Sequence, residues 1–169
     1  MFKFSTTCQW DKYPADGALG GRFAVLHPYT GLTWLDFSDG MPRVAYKPKR
    51  GEQPVFGFQQ CGLCRFGADR YLYTVAAENR PAFVFVGRDG VLSDPICPDG
   101  MSFGIPRADG NLVLLTNRSG REASVWDFAE TTKPKLLRKY SLAGNPDIGA
   151  FFRGKAVIPA GHQGVIMEK

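Results

Sequence analysis

The sequence predicts an all-β protein, and three observations support this fold class. The 20 glycines and 12 prolines are spread along all 169 residues, so turns and helix-breaking residues recur too often for long helices. The apolar runs have the length of strands and are rich in β-branched and aromatic residues. Similar segments, each a turn followed by the opening of a strand, also recur along the chain.

Four apolar runs bounded by Gly, Pro, Asn or Asp are predicted to be strands. They are residues 21–28, 70–77, 81–87 and 111–117. Residues 128–139 have some helical character, but Pro134 would remove a backbone donor from a helix, so we predict a turn followed by a strand. Residues 145–169 are predicted to form three short strands separated by two glycine turns.

The strand openings repeat with a regular spacing. When Phe23, Leu72, Leu112 and Ala156 are taken as equivalent, the repeats lie about 40 to 50 residues apart. A repeat of this length, filled with about four short strands, has the size of a β-propeller blade. The clearest unit, residues 100–144, divides into MSFGIPRADG, NLVLLTNRSG, EASVWDFA and KPKLLRKYSL, and residues 58–99 divide into FQQCGLCRFGADR, YLYTVAAEN, PAFVFVGRDG and VLSDPICPD.

The sequence therefore predicts one domain over residues 1–169, a propeller-like array of about four four-stranded antiparallel blades. The approximate units are residues 1–57, 58–99, 100–144 and 145–169. The array is either a complete small ring or half of a larger ring. A β-trefoil is the alternative, since it also has about twelve strands at this length, although it repeats three times.

Two segments resemble known repeat families. The last unit, GNPDIGAFFRGKAVIPAGHQGVIMEK, is similar to the repeats of bacterial β-propellers of the WD40-like and LVIVD-repeat kind, in which an AG-x-x-G turn precedes an aliphatic strand. The dipeptide of Trp126 and Asp127 resembles the tryptophan–aspartate pair of WD40 blades. Gly161 and His162 lie between the second and third strands and not before the first, so the His-to-Asp network of WD40 blades is not implied.

Composition limits the kind of protein without naming a ligand. Hydrophobic residues make up 44% of the chain and aromatic residues 13%, which is enough for a buried core. The formal charge of +5 and pI of about 9.1 permit acidic partners. No segment approaches the roughly 20 apolar residues of a membrane span, so we expect no membrane partner. If complete as written, the chain would be cytoplasmic.

The last unit is one strand short of a four-stranded blade, and an unpaired strand edge is a template for another strand. Residues 2–7, which place Phe2 and Phe4 on one face, could supply the missing strand from within the chain. Otherwise a second copy or another β subunit pairs with the edge, or the chain is a piece of a longer protein. We predict self-association or pairing with another β subunit through an unpaired sheet edge.

Polar residues at the turns around a central channel are the ligand-binding candidates, because propellers bind ligands where inner-strand turns converge. For each of them a simple turn-forming role is the alternative. The candidates are Asp16, Arg65, Asp99, Arg107, Asp147 and His162.

Two basic stretches fall where the outermost strand of a blade is expected. The residues are Lys47, Lys49 and Arg50 in the first stretch and Lys133 and Lys135 in the second. They form either a rim that binds nucleic acid or another polyanion or a protection of the sheet edge against aggregation. Edge protection is the preferred interpretation, so nucleic acid is a possible partner that the sequence does not favour.

Cys61 and Cys64 form one CxxC pair, whereas a zinc site of this type needs a second pair at a suitable separation. They are the metal candidates, but small buried cysteines are the preferred interpretation. No nucleotide-binding glycine motif and no G-x-S-x-G nucleophile motif occurs. We therefore expect no cofactor and assign no catalytic residue.

The sequence thus favours a non-catalytic binding or assembly module that presents a propeller surface to a protein or small ligand. The first alternative is a propeller-type hydrolase or lyase with a site formed across a homodimer. The second is a polyanion-binding protein that uses the basic rim.

Overall fold

The computed structural model describes residues 62–87 and 92–167, together with the backbone of strands at 22–27, 31–36 and 43–46. These residues form four antiparallel sheets in chain order. Sheet 1 contains β1 (Arg22–His27), β2 (Gly31–Asp36) and β3 (Arg43–Tyr46). Sheet 2 contains β4 (Leu63–Phe66), β5 (Arg70–Ala77) and β6 (Arg80–Gly87).

Sheet 3 contains β7 (Ile105–Asp109), β8 (Leu112–Asn117), β9 (Glu122–Asp127) and β10 (Lys135–Ser141). Sheet 4 contains β11 (Ala150–Phe152), β12 (Lys155–Pro159) and β13 (Val165–Met167). Within each sheet the strands pair in chain order. The all-β fold class is confirmed, and the succession of separate sheets is propeller-like, not trefoil-like.

Sheet 3 confirms the predicted four-stranded unit, because its strands fall within the four predicted segments. Gly110 makes the turn between β7 and β8 with a φ of 58°, a conformation that glycine adopts without strain. The segment before β10 is a turn that contains Pro134, as the sequence predicts.

Sheet 2 departs from the prediction at its fourth strand. The segment VLSDPICPD forms two isolated bridges to β6, from Leu92 to Val86 and from Ile96 to Phe83, and not a continuous strand. Pro95 lies between the two bridges and has no N–H to donate to a ladder, which accounts for the interruption.

Sheet 4 confirms the three short strands and the two turns predicted for residues 145–169. Arg153 and Gly154 form the first turn, both with positive φ. The second turn is a short 3-10 segment, Gly161–Gln163, followed by Gly164.

Sheets 2, 3 and 4 pack face to face in this order, and their first strands are neighbours: β4 contacts β7, and β7 contacts β11. Between sheets 2 and 3 lies an aromatic cluster around Phe83, Trp126 and Phe128, each at most 1% exposed. Between sheets 3 and 4, Leu114 and Val125 pack against Ala156 and Ile158. Sheet 3 is therefore covered on both faces, and the apolar residues on the second face of sheet 2 are buried as well. This two-sided burial explains the consecutive buried residues in β5, β6, β8 and β9.

A threonine joins sheets 2 and 3 at the start of their first strands. The Gly62 N–H donates to Thr74 Oγ1 at 2.9 Å, and Thr74 Oγ1 donates to the Gly104 carbonyl at 2.7 Å. A Cβ at Gly62 would lie 2.7 Å from Pro106 Cδ and 3.2 Å from the Ile105 Cα, so only glycine allows this approach.

Several predictions fall outside the described residues. They concern the strand predicted at residues 2–7 and the candidates Asp16, Lys47, Lys49, Arg50 and Cys61. The part of the chain that the structure describes contains no helix long and apolar enough to cross a membrane.

Candidate functional site

One end of the sheets, here called the leading end, carries three of the six polar candidates, Asp99, Asp147 and His162. It is the end at which β4, β7 and β11 begin and where the β5–β6, β8–β9 and β12–β13 turns lie. Asp147 precedes β11, and its N–H donates to the Pro159 carbonyl at the end of β12. His162 is exposed in the turn that follows Pro159, so Asp147 and His162 lie at the same end of sheet 4.

Asp147 and Asp99 both have local structural contacts. The Asp147 Oδ1 accepts the Ile148 N–H at 2.8 Å, which fixes the chain before β11. Asp99 lies 3.7 Å from Arg80, and both side chains are largely exposed. An ion pair with this exposure contributes little to stability.

A hydrogen bond that the sequence did not indicate links sheet 3 to the segment before sheet 4 at this end. Arg121, in the β8–β9 turn, donates from Nε to the Asn145 Oδ1 at 3.2 Å, and the Arg121 carbonyl accepts the Leu142 N–H. Arg121 has a φ of 50°. Since the two partners are 24 residues apart, local spacing held no signal for this contact.

Arg65 and Arg107 lie on neighbouring first strands but face opposite directions. Cys64 and Phe66 pack in the cluster shared with sheet 3, so Arg65 faces the other side of sheet 2. Ala108 packs against the same cluster, so Arg107 faces sheet 4. Each guanidinium donates to a nearby carbonyl at 3.0 Å, that of Gly67 for Arg65 and that of Pro106 for Arg107. The two candidates therefore do not form one site.

The second basic stretch leads into the edge strand β10. Lys133 lies 3.8 Å from Glu130, and Lys135 is exposed at the start of the strand. The register of β10 against β9 shifts between Leu136 and Arg138. Lysine side chains and a bulge on an edge strand both discourage pairing with another chain, so this arrangement is compatible with the edge-protection interpretation, which stays a prediction.

A polar network at the leading end of sheet 3 centres on Glu122. Lys139 Nζ lies 3.0 Å from Glu122 Oε2 and also donates to the Ser102 Oγ at 3.2 Å. The Asn117 Nδ2 donates to Glu122 Oε1 at 3.3 Å. The network joins β8, β9 and β10 to the segment before β7.

The network makes stability depend on pH. Burial alone raises the pKa of Glu122, but hydrogen bonds and the charge of Lys139 outweigh it and hold the pKa below its ordinary value. A lowered pKa stabilises the folded state above the pKa of the unfolded chain, and this contribution is lost as pH falls through the lowered value. We expect Glu122→Gln to flatten the pH dependence of the unfolding free energy between about pH 5 and pH 3. Urea titrations across this range measure it, and an unchanged slope would contradict the role given to Glu122.

Of the two metal candidates, Cys64 lies within the described residues. It is 2% exposed and packs in the cluster with Phe66, Leu72 and Val113. The described ranges, 62–87 and 92–167, contain no group of three or more His, Cys, Asp or Glu residues arranged for a metal ion.

Sheet 4 has one covered face and one exposed apolar face. Ala156, Ile158 and Ile166 face sheet 3. The residues of alternate parity face away, and Phe152, Val165 and Met167 are 58%, 63% and 58% exposed. We call this surface the open face; it comprises Phe152, Lys155, Val157, Pro159, Val165 and Met167.

The edge of sheet 4 also differs from the edge of sheet 3. Strand β13 reads Val165, Ile166 and Met167, without a charged residue, and its register against β12 is regular. Strand β10 carries Lys135 and Lys139 together with its bulge. Sheet 3 thus has lysines and a bulge at its edge and is buried on both faces. In the described part of the chain, sheet 4 has neither feature at β13, and one of its apolar faces is exposed.

No protein-family model and no curated protein matches the chain. Among solved structures, the chain is similar to one in a structure titled as a nidogen/laminin complex. The TM-score is 0.62 at 12% sequence identity, and the match covers 92% of this chain and 58% of the other.

At this identity the likeness concerns the fold alone, and the chain spans about 58% of the length of the chain it matches. The fold and the comparison together define an all-β protein of propeller-like architecture.

Proposed function

We propose that this protein is a binding or assembly module whose open face packs against a β-sheet of another polypeptide. The single observation that carries the proposal is the uncovered apolar face of sheet 4, with Phe152, Val165 and Met167 each more than half exposed. Exposed apolar patches of this kind mark interaction sites in folded proteins.

The sheets within the chain indicate what fits this face. Sheets 2 and 3 bury apolar residues on both faces, and sheet 3 does so because it lies between sheets 2 and 4. Sheet 4 has the same two-sided apolar pattern, with Ile158 on one side and Val157 on the other, but its described neighbour covers one side. A sheet with an apolar face matches this pattern better than a small polar ligand does.

The matched solved structure is consistent with such a role for this fold, since its title names a complex of two proteins. The polar candidates of the leading end are a second place for a partner to touch. Asp147 and His162 lie beside the open face at the end of sheet 4, so one partner can contact both.

The experiment replaces Val165 and Met167 together by lysine and compares this variant with Leu137→Lys. Leu137 is the matched control because it is a half-exposed apolar residue on the edge strand β10. Sedimentation equilibrium gives the mass, against 18.6 kDa for one chain, and hydrogen exchange gives the protection of the β13 amides.

Association that the double variant abolishes and Leu137→Lys leaves intact supports the proposal. A monomer in which the β13 amides on the side away from β12 exchange freely also supports the proposal, because sheet 4 is then still available to a different subunit. A monomer in which those amides are strongly protected, or association that survives the double variant, contradicts it.

A further inference from the structure

The two charged residues beside the open face at the β11–β12 turn are both basic. Lys155 is the charged residue of the open face, and Arg153 lies next to it in the turn. Both are exposed. The opposite end of the sheet carries Asp147 and His162, so the two cations are confined to one end of the surface.

Arg153 is held over the apolar surface. Its guanidinium carbon lies 5.2 Å from the centre of the Phe152 ring, within the range of a cation–π contact. A guanidinium presents several N–H donors in a planar fork suited to a carboxylate.

Several surface cations of the described residues form ion pairs, whereas Arg153 and Lys155, like Lys135, form none there. Arg80 pairs with Asp99, Lys133 with Glu130, and Lys139 with Glu122. In the described part of the chain no carboxylate lies within ion-pair distance of Arg153 or Lys155.

From this arrangement we infer that the partner packing on the open face is a different polypeptide with acidic residues opposite Arg153 and Lys155. The inference rests on the proposed function and adds the chemistry of the partner. A second copy offers the same two cations against a single carboxylate, Asp147, beside its open face, and its formal charge is also +5, so like charges oppose face-to-face self-association. An acidic partner gains favourable charge pairs at the basic end and a faster encounter.

The experiment uses two disulfide-cyclised β-hairpin peptides as probes. Both have one face of Val and Ile, and they differ in two residues at the turn end, Glu in one and Lys in the other. We expect the acidic hairpin to bind about tenfold more tightly at low salt, an advantage that falls as salt is added. Fluorescence anisotropy of labelled peptides measures the affinity.

Two double variants of the protein reverse the same number of charges, one beside the open face and the other near the edge of sheet 3. Arg153→Glu with Lys155→Glu is expected to reverse the preference, so that the basic hairpin binds more tightly. Lys133→Glu with Lys135→Glu alters the net charge equally on the edge of sheet 3 and is expected to leave the preference unchanged.

The outcomes separate the two proposals. If both hairpins bind the open face equally tightly, the inference of an acidic partner is wrong, but the proposal that the open face is a docking surface stands. If neither hairpin binds and the β13 amides are protected in a monomer, the docking surface fails as well. A salt-insensitive dimer that the Arg153 and Lys155 charge reversal leaves intact identifies a second copy as the occupant and overturns this inference.

Discussion

Replacing Phe128 by alanine is expected to lower the free energy of unfolding by about 3 to 5 kcal/mol. Phe128 is 1% exposed and lies edge-on to three rings of sheet 2, with centroids 4.9 Å from Phe83, 5.6 Å from Phe66 and 5.9 Å from Phe85. Its removal leaves a cavity between two sheets. The loss of the aromatic contacts adds to the free energy lost with the buried apolar surface.

Urea-induced unfolding followed by tryptophan fluorescence measures this effect. Leu137→Ala is the control, since Leu137 is 50% exposed on the edge of sheet 3, and we expect it to cost less than about 1 kcal/mol. A loss below about 1.5 kcal/mol for the Phe128 variant would mean that sheets 2 and 3 do not share the described core.

The second large effect is expected for Thr74→Val, which we predict to cost about 2 to 4 kcal/mol. Valine has nearly the same shape but lacks the hydroxyl that accepts from Gly62 N–H and donates to the Gly104 carbonyl. Both backbone groups lie in buried residues, so the loss leaves polar groups without compensation.

The chain supplies a matched control for this prediction. Thr116 occupies a similar place in β8, next to Gly104 and Gly149, and is 3% exposed. Its Oγ1 has no hydrogen-bond partner among the described residues. We expect Thr116→Val to be neutral or stabilising, because it removes a buried hydroxyl that is not bonded. Equal losses for the two variants would contradict the bonding assigned to Thr74.

The strands could be predicted because their signals are local. The turns at Gly110 and at Arg153 separate apolar runs of strand length, and the structure places strands on both sides of each. The prediction of a continuous fourth strand in sheet 2 was wrong, because Pro95 has no N–H to donate and interrupts the pairing with β6 at that position. The WD40-like and LVIVD-like character of the repeats stays a prediction.

The candidate site was less predictable than the strands. The sequence indicated that Asp147 and His162 lie in turns. It did not indicate that Arg121, in a turn of sheet 3, donates a hydrogen bond to Asn145 in the segment before sheet 4. The open face carried no local signal either. Val165, Ile166 and Met167 are all apolar, so alternation does not show which side is covered, and packing against sheet 3 decides it.

The most direct test is photo-cross-linking from the open face, with Phe152 replaced by a photo-reactive phenylalanine analogue and Leu137 replaced in the same way as a control. We expect cross-links from position 152 to a peptide of a second polypeptide, and none of these from position 137. Cross-links from position 152 that join only residues of the same chain would contradict it.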